Sequence, residues 1–356
     1  MPNRREILVA ALAGCTLPAC HVVGAESTHR IRVGQVGTMH AHASGKMSTM
    51  RKLDDLFEVV GVVEPDHGAR QRAEKNDAYR GLPFVELDQL LETTGLAAVA
   101  VETSVSDLVE NAVRCLQAGK HIHLDKPAGI SMSACREMHA EANRRGLTIQ
   151  MGYMFRYNPA FTLLFQMVRD GWLGDVTELN GAMGKLAGDS LRRDLAQYSG
   201  GGMFELSCHL IDAMVTVLGK PQKVQSYNRR TRPDADSFAD NQLAVFEYPN
   251  AVATIRCNHI DPFGFARRQF GVAGTKGVFD INPLEPPAAR LTLDQARGDY
   301  QKGAQDVAFA RSPGRYDAEF VDLAKVIRGE KQLAWNSDHD LAVHEAVLAG
   351  SGMDVD

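Results

Sequence analysis

The stretch Ile31-Arg-Val-Gly34-Gln-Val36-Gly37-Thr38-Met39-His40-Ala-His42-Ala-Ser44 decides the fold. An apolar run of strand length, Ile31 to Val36, meets a glycine and then residues able to open a helix. In that order a parallel α/β sheet offers backbone amides at a helix N-terminus to a pyrophosphate. Gly34 and Gly37 supply glycines, but against the spacing GxGxxG, Gly37 fills the first position, Met39 the second and His42 the third. A side chain at the second position shifts the expected contact to the amides of Thr38 and Met39. His40 and His42 either touch the pyrophosphate or occupy a tightened loop.

Downstream, strand-length apolar runs alternate with amphipathic helical segments, the pattern of a parallel sheet covered by helices. Phe57 to Val63 forms the second strand and ends in Glu64. A carboxylate there would bind the adenosine ribose hydroxyls and repel a 2'-phosphate, favouring NAD over NADP; Arg70 keeps NADP as the alternative, and a solvated acid before Pro65-Asp66 is the plain reading. Ala97 to Val101 is a third strand. Ser106 can cap a helix with Val109, Ala112, Val113 and Leu116 on one face, closed by Gly119. His121 to Leu124 follows, Ser131 or Ser133 opens another helix, and Leu147 to Met151 ends the domain.

After Gly152 the rhythm changes. A helix is expected from Asn158 to Arg169, a turn at Gly171 and Gly174, and a single helix from Met203 to Leu218. Val224–Tyr227, Gln242–Tyr248, Ala251–His259 and Gln269–Val272 then follow as strands without long helices between them, which points to an open, mainly antiparallel sheet. Pro283 to Pro313 is rich in turn formers and reads as surface loop. Two helices, Tyr316 to Arg328 and Asp338 to Leu348, finish the chain. The expected class is α/β: an export signal over 1–26, a dinucleotide-binding Rossmann domain over 27–151 and an α+β substrate and dimerisation domain over 152–350.

With 356 residues, the chain exceeds what one core usually supports. It carries 39 Lys and Arg against 44 Asp and Glu, a net charge of -5 with no long basic run, which excludes a nucleic-acid partner. Arg4-Arg5 before the apolar run Ile7 to Ala13 resembles a twin-arginine export signal. Leu12-Ala-Gly-Cys15 resembles a lipoprotein box and Val23-Gly-Ala25 an ordinary cleavage site, so a periplasmic and a membrane-tethered product are both open. Beyond the leader, Cys115, Cys135, Cys208 and Cys257 are scattered without a CxxC pair, which indicates neither disulfides nor structural zinc.

Two segments carry chemistry. In His121-Ile-His-Leu-Asp125-Lys126-Pro127, Lys126 stands at the carboxyl end of a strand, the edge at which open parallel sheets bind ligands. It can hydrogen-bond a substrate hydroxyl and, near a cationic nicotinamide, lose proton affinity. In Gly200-Gly-Gly-Met-Phe-Glu205-Leu-Ser-Cys-His209-Leu-Ile-Asp212, a helix would put Glu205, His209 and Asp212 on one face. His209 is the candidate proton acceptor, with Glu205 orienting it or the substrate; an ordinary salt-bridged surface helix is the alternative.

Over residues from about 30 to 350 the chain resembles the glucose-fructose oxidoreductase, inositol dehydrogenase and rhizopine-catabolism (Gfo/Idh/MocA) family. The resemblance is carried by Ala118-Gly-Lys-His-Ile-His-Leu-Asp-Lys126-Pro127, Gln150-Met-Gly-Tyr153-Met-Phe-Arg156-Tyr157-Asn-Pro159, Leu173-Gly174-Asp-Val176, the triple-glycine segment through Asp212, and Ala273-Gly274-Thr275-Lys-Gly277. It implies a nicotinamide cofactor, Lys126 and His209 as catalytic residues, and a homo-oligomer formed through the open sheet. Asp125 and Thr103 join the cofactor contacts, and Tyr153, Arg156, Tyr157, Arg193 and Asp212 the expected substrate contacts.

The chain departs from the family pattern at Asp125 and Glu205, where glutamate and aspartate respectively are usual, at Met39, and at Leu108, where histidine is common. The expected reaction is hydride transfer at a secondary hydroxyl of a sugar or polyol. The expected cofactor is loaded before export and retained. Alternatives are a glycosidase of the same family using transient oxidation, a non-catalytic sugar-binding protein, and a metal-dependent hydrolase using His40, His42, His121, His123 and the Glu205/His209 pair. The last lacks three ligands at characteristic spacing, so no metal is expected.

Overall fold

The computed structural model describes residues 30–310 and 314–355; the expected signal over 1–26 lies outside them. Five strands, β1 (Ile31–Val36), β2 (Phe57–Val63), β3 (Leu96–Val101), β4 (His121–Leu124) and β5 (Ile149–Met151), form a wholly parallel sheet in the order β2-β1-β3-β4-β5. Its central strands are covered on both faces, so β3 reads as the unbroken apolar run LAAVAV, with Ala98 to Val101 fully buried. Helices α1 (Ala43–Lys52), α2 (His67–Glu74), α3 (Leu87–Leu91), α4 (Leu108–Gln117) and α5 (Met132–Arg145) connect these strands. Ser131 caps α5 by accepting from the Ala134 amide, and Gly146 closes it in the left-handed region. The cap of α4 differs from expectation: Asp107 precedes the helix, while the Ser106 hydroxyl pairs with Ser104.

The second sheet has eight strands: β6 (Val176–Gly184), β7 (Lys223–Arg229), β8 (Asn241–Glu247), β9 (Val252–Asn258), β10 (Gln269–Gly274), β11 (Gly277–Ile281), β12 (Ala289–Leu293) and β13 (Gly303–Val307). Their order is β13-β12-β11-β10-β6-β9-β8-β7, antiparallel except for the central β6–β9 pair. Helices α6 (Pro159–Arg169), α7 (Asp189–Ala196), α8 (Gly201–Glu205), α9 (Cys208–Leu218), α10 (Asp317–Ile327) and α11 (Ser337–Ser351) complete the fold. Of these, α9 packs on β6 and β9, and α11 contacts both α9 and α5, tying the two sheets' helices together.

Two further sequence expectations are corrected, and one strand is added. Residues 283–313 are not one surface loop, since β12 and β13 lie within them and extend the sheet. Strand β6 escaped the pattern because Thr177, Glu178 and Gly181 interrupt its apolar alternation. Gly181 marks a close approach: a Cβ would lie 2.9 Å from Ile255 Cδ1 and 3.0 Å from Leu210 Cδ1, where α9 presses on the sheet. Finally, the expected helix from Met203 to Leu218 is two helices. It breaks at Leu206-Ser207, where the amides of both residues converge on the Gly202 carbonyl.

Candidate functional site

The loop after β1 is held by its neighbours. Gly37 has φ +86°, and a Cβ there would stand 2.6 Å from the Thr103 backbone, so only glycine lets the ends of β1 and β3 approach. The Glu64 carboxylate, at the end of β2, accepts from the Thr38 amide and hydroxyl, each at 2.7 Å, and from the Asp66 amide at 3.0 Å. Glu64 therefore anchors the loop as well as facing the cavity beside it. That cavity, of about 360 Å³, is bordered by Gly37, Met39, Glu64, Asp66, Thr103 and Arg114 at the carboxyl edge of the parallel sheet. Met39 is largely exposed over it. Gly34, by contrast, lies inside β1 against Leu90, in the core rather than at the cavity.

Beneath the loop is a buried hub that the sequence did not reveal. Asp125 Oδ2 lies 2.7 Å from His40 Nδ1, 3.2 Å from His42 Nδ1 and 3.1 Å from Lys46 Nζ, while Oδ1 accepts from the Lys126 amide at 2.7 Å. Lys46 also stands 3.1 Å from Glu102 Oε1, with both side chains fully buried. Burial alone would raise the Asp125 carboxyl, but His40, Lys46 and His42 hold it well below the usual range. Burial and the adjacent Asp125 raise Glu102 well above that range, so one carboxyl of the pair carries the charge and the other the proton. Lys46 stays an ammonium, because the charged Asp125 beside it outweighs its desolvation.

His40, His42 and Asp125 are the group, among the described residues, whose ligand atoms come close enough to hold a metal. The Lys46 ammonium already occupies the shared Asp125 oxygen, which satisfies that carboxylate and opposes a second cation there. His40 Nε2 also meets the Lys126 carbonyl at 3.1 Å, so Asp125 and His40 together fix the backbone on both sides of Lys126.

Lys126 reaches across to the second sheet's helices. Its Nζ donates to the Glu205 carbonyl at 2.6 Å and lies 3.7 Å from Glu205 Oε1. Burial would lower the ammonium's proton affinity, but Cys208, Glu205 and Asp125 raise it overall, so Lys126 is a donor. Burial would raise the Glu205 carboxyl, yet Lys126 and Lys185 draw it down to about 2. Burial, with Lys126 and His42 adding to it, holds His209 well below its ordinary value. His209 is therefore a neutral imidazole, and its Nδ1 has no partner among the described residues. Tyr153 packs edge-on against it at 5.9 Å, Phe155 at 5.5 Å and His42 at 6.3 Å.

The helix break separates Glu205 from the His209–Asp212 face, so the three do not form one stripe. Asp212 is turned away into the core, where Arg156 grips it through Nε and Nη2 and bonds Asp340 at 2.6 Å. Arg156 and Asp212 thus form a buried ion network rather than lining the cleft. Tyr157 donates to Asp322 and accepts from Gln150. Arg193 is exposed on α7. The structure therefore brings together Lys126, Glu205, His209, Asp125, His42 and Tyr153, and adds Lys46 and Glu102. Lys46 was readable in principle: Ala43, Met47 and Met50 make an inward stripe of α1, and Lys46, three residues after Ala43, falls on it.

The cavity fits a dinucleotide: its loop needs glycine at Gly37, and it lies at the carboxyl edge of a parallel sheet. Known proteins agree with this architecture. Trans-1,2-dihydrobenzene-1,2-diol dehydrogenase of Bos taurus is 28% identical over 234 residues, 64% of this chain and 67% of that protein. Aldose-aldose oxidoreductase from Caulobacter crescentus superposes with a TM-score of 0.77 at 19% identity, covering 91% of this chain and 98% of that one. The WlbA dehydrogenase from Bordetella pertussis, solved with NADH and UDP-GlcNAcA, gives 0.74 at 17% identity, covering 90% and 95%. Residues 31–153 match the NAD-binding Rossmann fold of the GFO/IDH/MocA oxidoreductase family and residues 161–280 match that family's C-terminal domain, so this chain belongs to the GFO/IDH/MocA oxidoreductases.

Proposed function

We propose that the protein interconverts a secondary hydroxyl and a carbonyl on a sugar, polyol or sugar derivative, with NAD in the cavity beside Gly37. The observation that carries this reading is an ammonium, Lys126, just past the carboxyl end of β4 and held by the Glu205 carbonyl, together with a neutral imidazole, His209, packed against His42 of the loop after β1. A bound nicotinamide supplies the hydride acceptor or donor. Lys126 hydrogen-bonds the reacting oxygen and stabilises negative charge on it, while His209 takes the hydroxyl proton. Glu205 fixes Lys126 through its carbonyl, and Asp125 with His40 fixes its backbone.

NAD is favoured over NADP because Glu64, Asp66, Glu86, Asp88, Asp107 and Glu110 border the cavity and would repel a 2'-phosphate. The opposing Arg114 is already paired with Asp88 at 2.9 Å. Export by the twin-arginine leader and retention of the cofactor through the cycle belong to the same proposal, as does a dimer through the open sheet. Tyr227 and Val252 are exposed on the sheet face opposite α9, and an uncovered apolar face favours a second copy. Light scattering tests the dimer, and mass analysis of the purified protein tests for retained dinucleotide.

The decisive experiment is Lys126→Ala, assayed by the absorbance of reduced nicotinamide across a panel of sugars and polyols. Turnover should fall by about 10²–10⁴-fold with dinucleotide binding retained. Unchanged turnover would remove Lys126 from the chemistry.

A further inference from the structure

Three arginines among the described residues are buried, and two of them are held by carboxylates. Arg156 holds Asp212 and Asp340, and Arg192 holds Asp236 at 2.7 Å and Asp240 at 2.8 Å. Arg268 is 6% exposed and has no carboxylate within ion-pair distance among the described residues. Its Nε donates to the Gly184 carbonyl at 3.1 Å, and its plane stacks on Phe265 with 4.3 Å between Cζ and the ring centre. The two terminal nitrogens have no hydrogen-bond partner among the described residues, yet they are not sealed from solvent. A buried cation without a counter-charge is strongly unfavourable, so a site that keeps one is arranged for an anion supplied from outside.

Its position says which anion. Arg268 stands just before β10, held against the end of β6. The next residue on that strand end, Lys185, reaches Glu205 Oε2 at 3.6 Å, and the Glu205 carbonyl carries Lys126 Nζ. The open guanidinium therefore lies on the same rim of the cleft as the Lys126–Glu205 contact. Burial holds Arg268 below the ordinary arginine range, with Glu285 and Glu205 only partly offsetting it and Arg315 adding to it. Arg315 is paired with Glu285 at 2.9 Å, and Lys185 and Lys126 share the Glu205 carboxylate, so neither carboxylate is left for the Arg268 fork. The planar fork matches the two coplanar oxygens of a carboxylate in a bidentate pair.

We propose that Arg268 binds the carboxylate of an acidic sugar, a hexuronate or its derivative, and so sets the substrate class of this site; the proposal rests on the sugar oxidoreductase reading above. The test compares D-glucuronate, D-glucose and D-glucose 6-phosphate with the NAD-loaded protein, by calorimetric titration and by absorbance of reduced nicotinamide. Glucuronate should bind about 10- to 100-fold more tightly than either other sugar, the range of a charge-assisted pair. Arg268→Gln should narrow that preference to a few-fold, and Arg268→Lys, a point charge without the fork, should fall between. Equal binding of the three sugars by the wild-type protein, or a preference for the phosphate, overturns the inference even if the variants fail to fold. If glucuronate binds through Arg268 but no sugar reduces NAD, the oxidoreductase reading falls and the anion site stands. If glucose and glucuronate reduce NAD equally, the oxidoreductase reading stands and the anion site falls.

Discussion

The buried pair Asp125 and Glu102 makes a quantitative prediction, because the two carboxyls share the Lys46 ammonium at equal distances, 3.1 Å, yet differ in charge. Asp125 also receives His40, His42 and the Lys126 amide, whereas Glu102 has Lys46 as its one ion-pair partner among the described residues and is raised by Asp125 itself. Glu102→Gln replaces a neutral acid with a neutral amide of the same shape and should cost about 1 kcal/mol or less, the scale of one hydrogen bond. Asp125→Asn removes the charge that four donors face and leaves Lys46 buried without a full counter-charge, which should cost about 3–5 kcal/mol. Urea unfolding followed by circular dichroism at neutral pH measures both. A second signature is the pH slope. A glutamate whose folded value is raised makes the protein lose stability as pH climbs above the unfolded value of about 4.3, and the glutamine variant should lack that loss. If Glu102→Gln destabilises as much as Asp125→Asn, the charge assignment is wrong.

Further predictions concern pH and the loop. Burial lowers His344 to about 4 and His123 to about 3, so their folded values lie below the unfolded one of about 6.5. Their contribution is complete above that unfolded value and is lost as pH falls toward the folded values, at about 1.4 kcal/mol per pH unit for each group. Unfolding midpoints compared at pH 7 and pH 5 should show it, and His344→Phe should flatten the slope; an unaltered slope in that variant would contradict the assignment. Gly37→Ala meets both a positive φ and the Thr103 backbone, and should cost about 1–3 kcal/mol and weaken NADH binding measured by fluorescence. Wild-type affinity in Gly37→Ala would show that the loop does not hold the dinucleotide.

The Rossmann half was legible because its signals are local. Strands β1, β2 and β4 run over the expected residues, and Ser131 and Gly119 punctuate helices by their own conformational preferences. The second half was harder for a physical reason. A sheet open on one side tolerates polar and glycine residues inside its strands, so β6 carries Glu178 and Gly181 and loses the alternation that would mark it. The break between α8 and α9 was likewise hidden, since Phe204 to Ile211 keep a continuous helical pattern. The interruption comes from tertiary crowding: a Cβ on Gly202 would strike the His259 ring, and Gly201 takes φ +57° beneath Ala239.

In the site, position along the chain identified Lys126, since a lysine closing a parallel strand must face the ligand edge. What no local pattern could supply is which charges find partners. Arg156 and Asp212 read as substrate contacts from the family resemblance, yet they neutralise each other in the core. Arg267 and Arg268 are adjacent and chemically identical in sequence. The chain turns one outward, where its side chain is 73% exposed and bound to Asp261, and folds the other inward with its fork unpaired. Pairing is a property of the folded molecule, and the buried arginine left without a carboxylate among the described residues is where the fold itself asks for an anionic substrate.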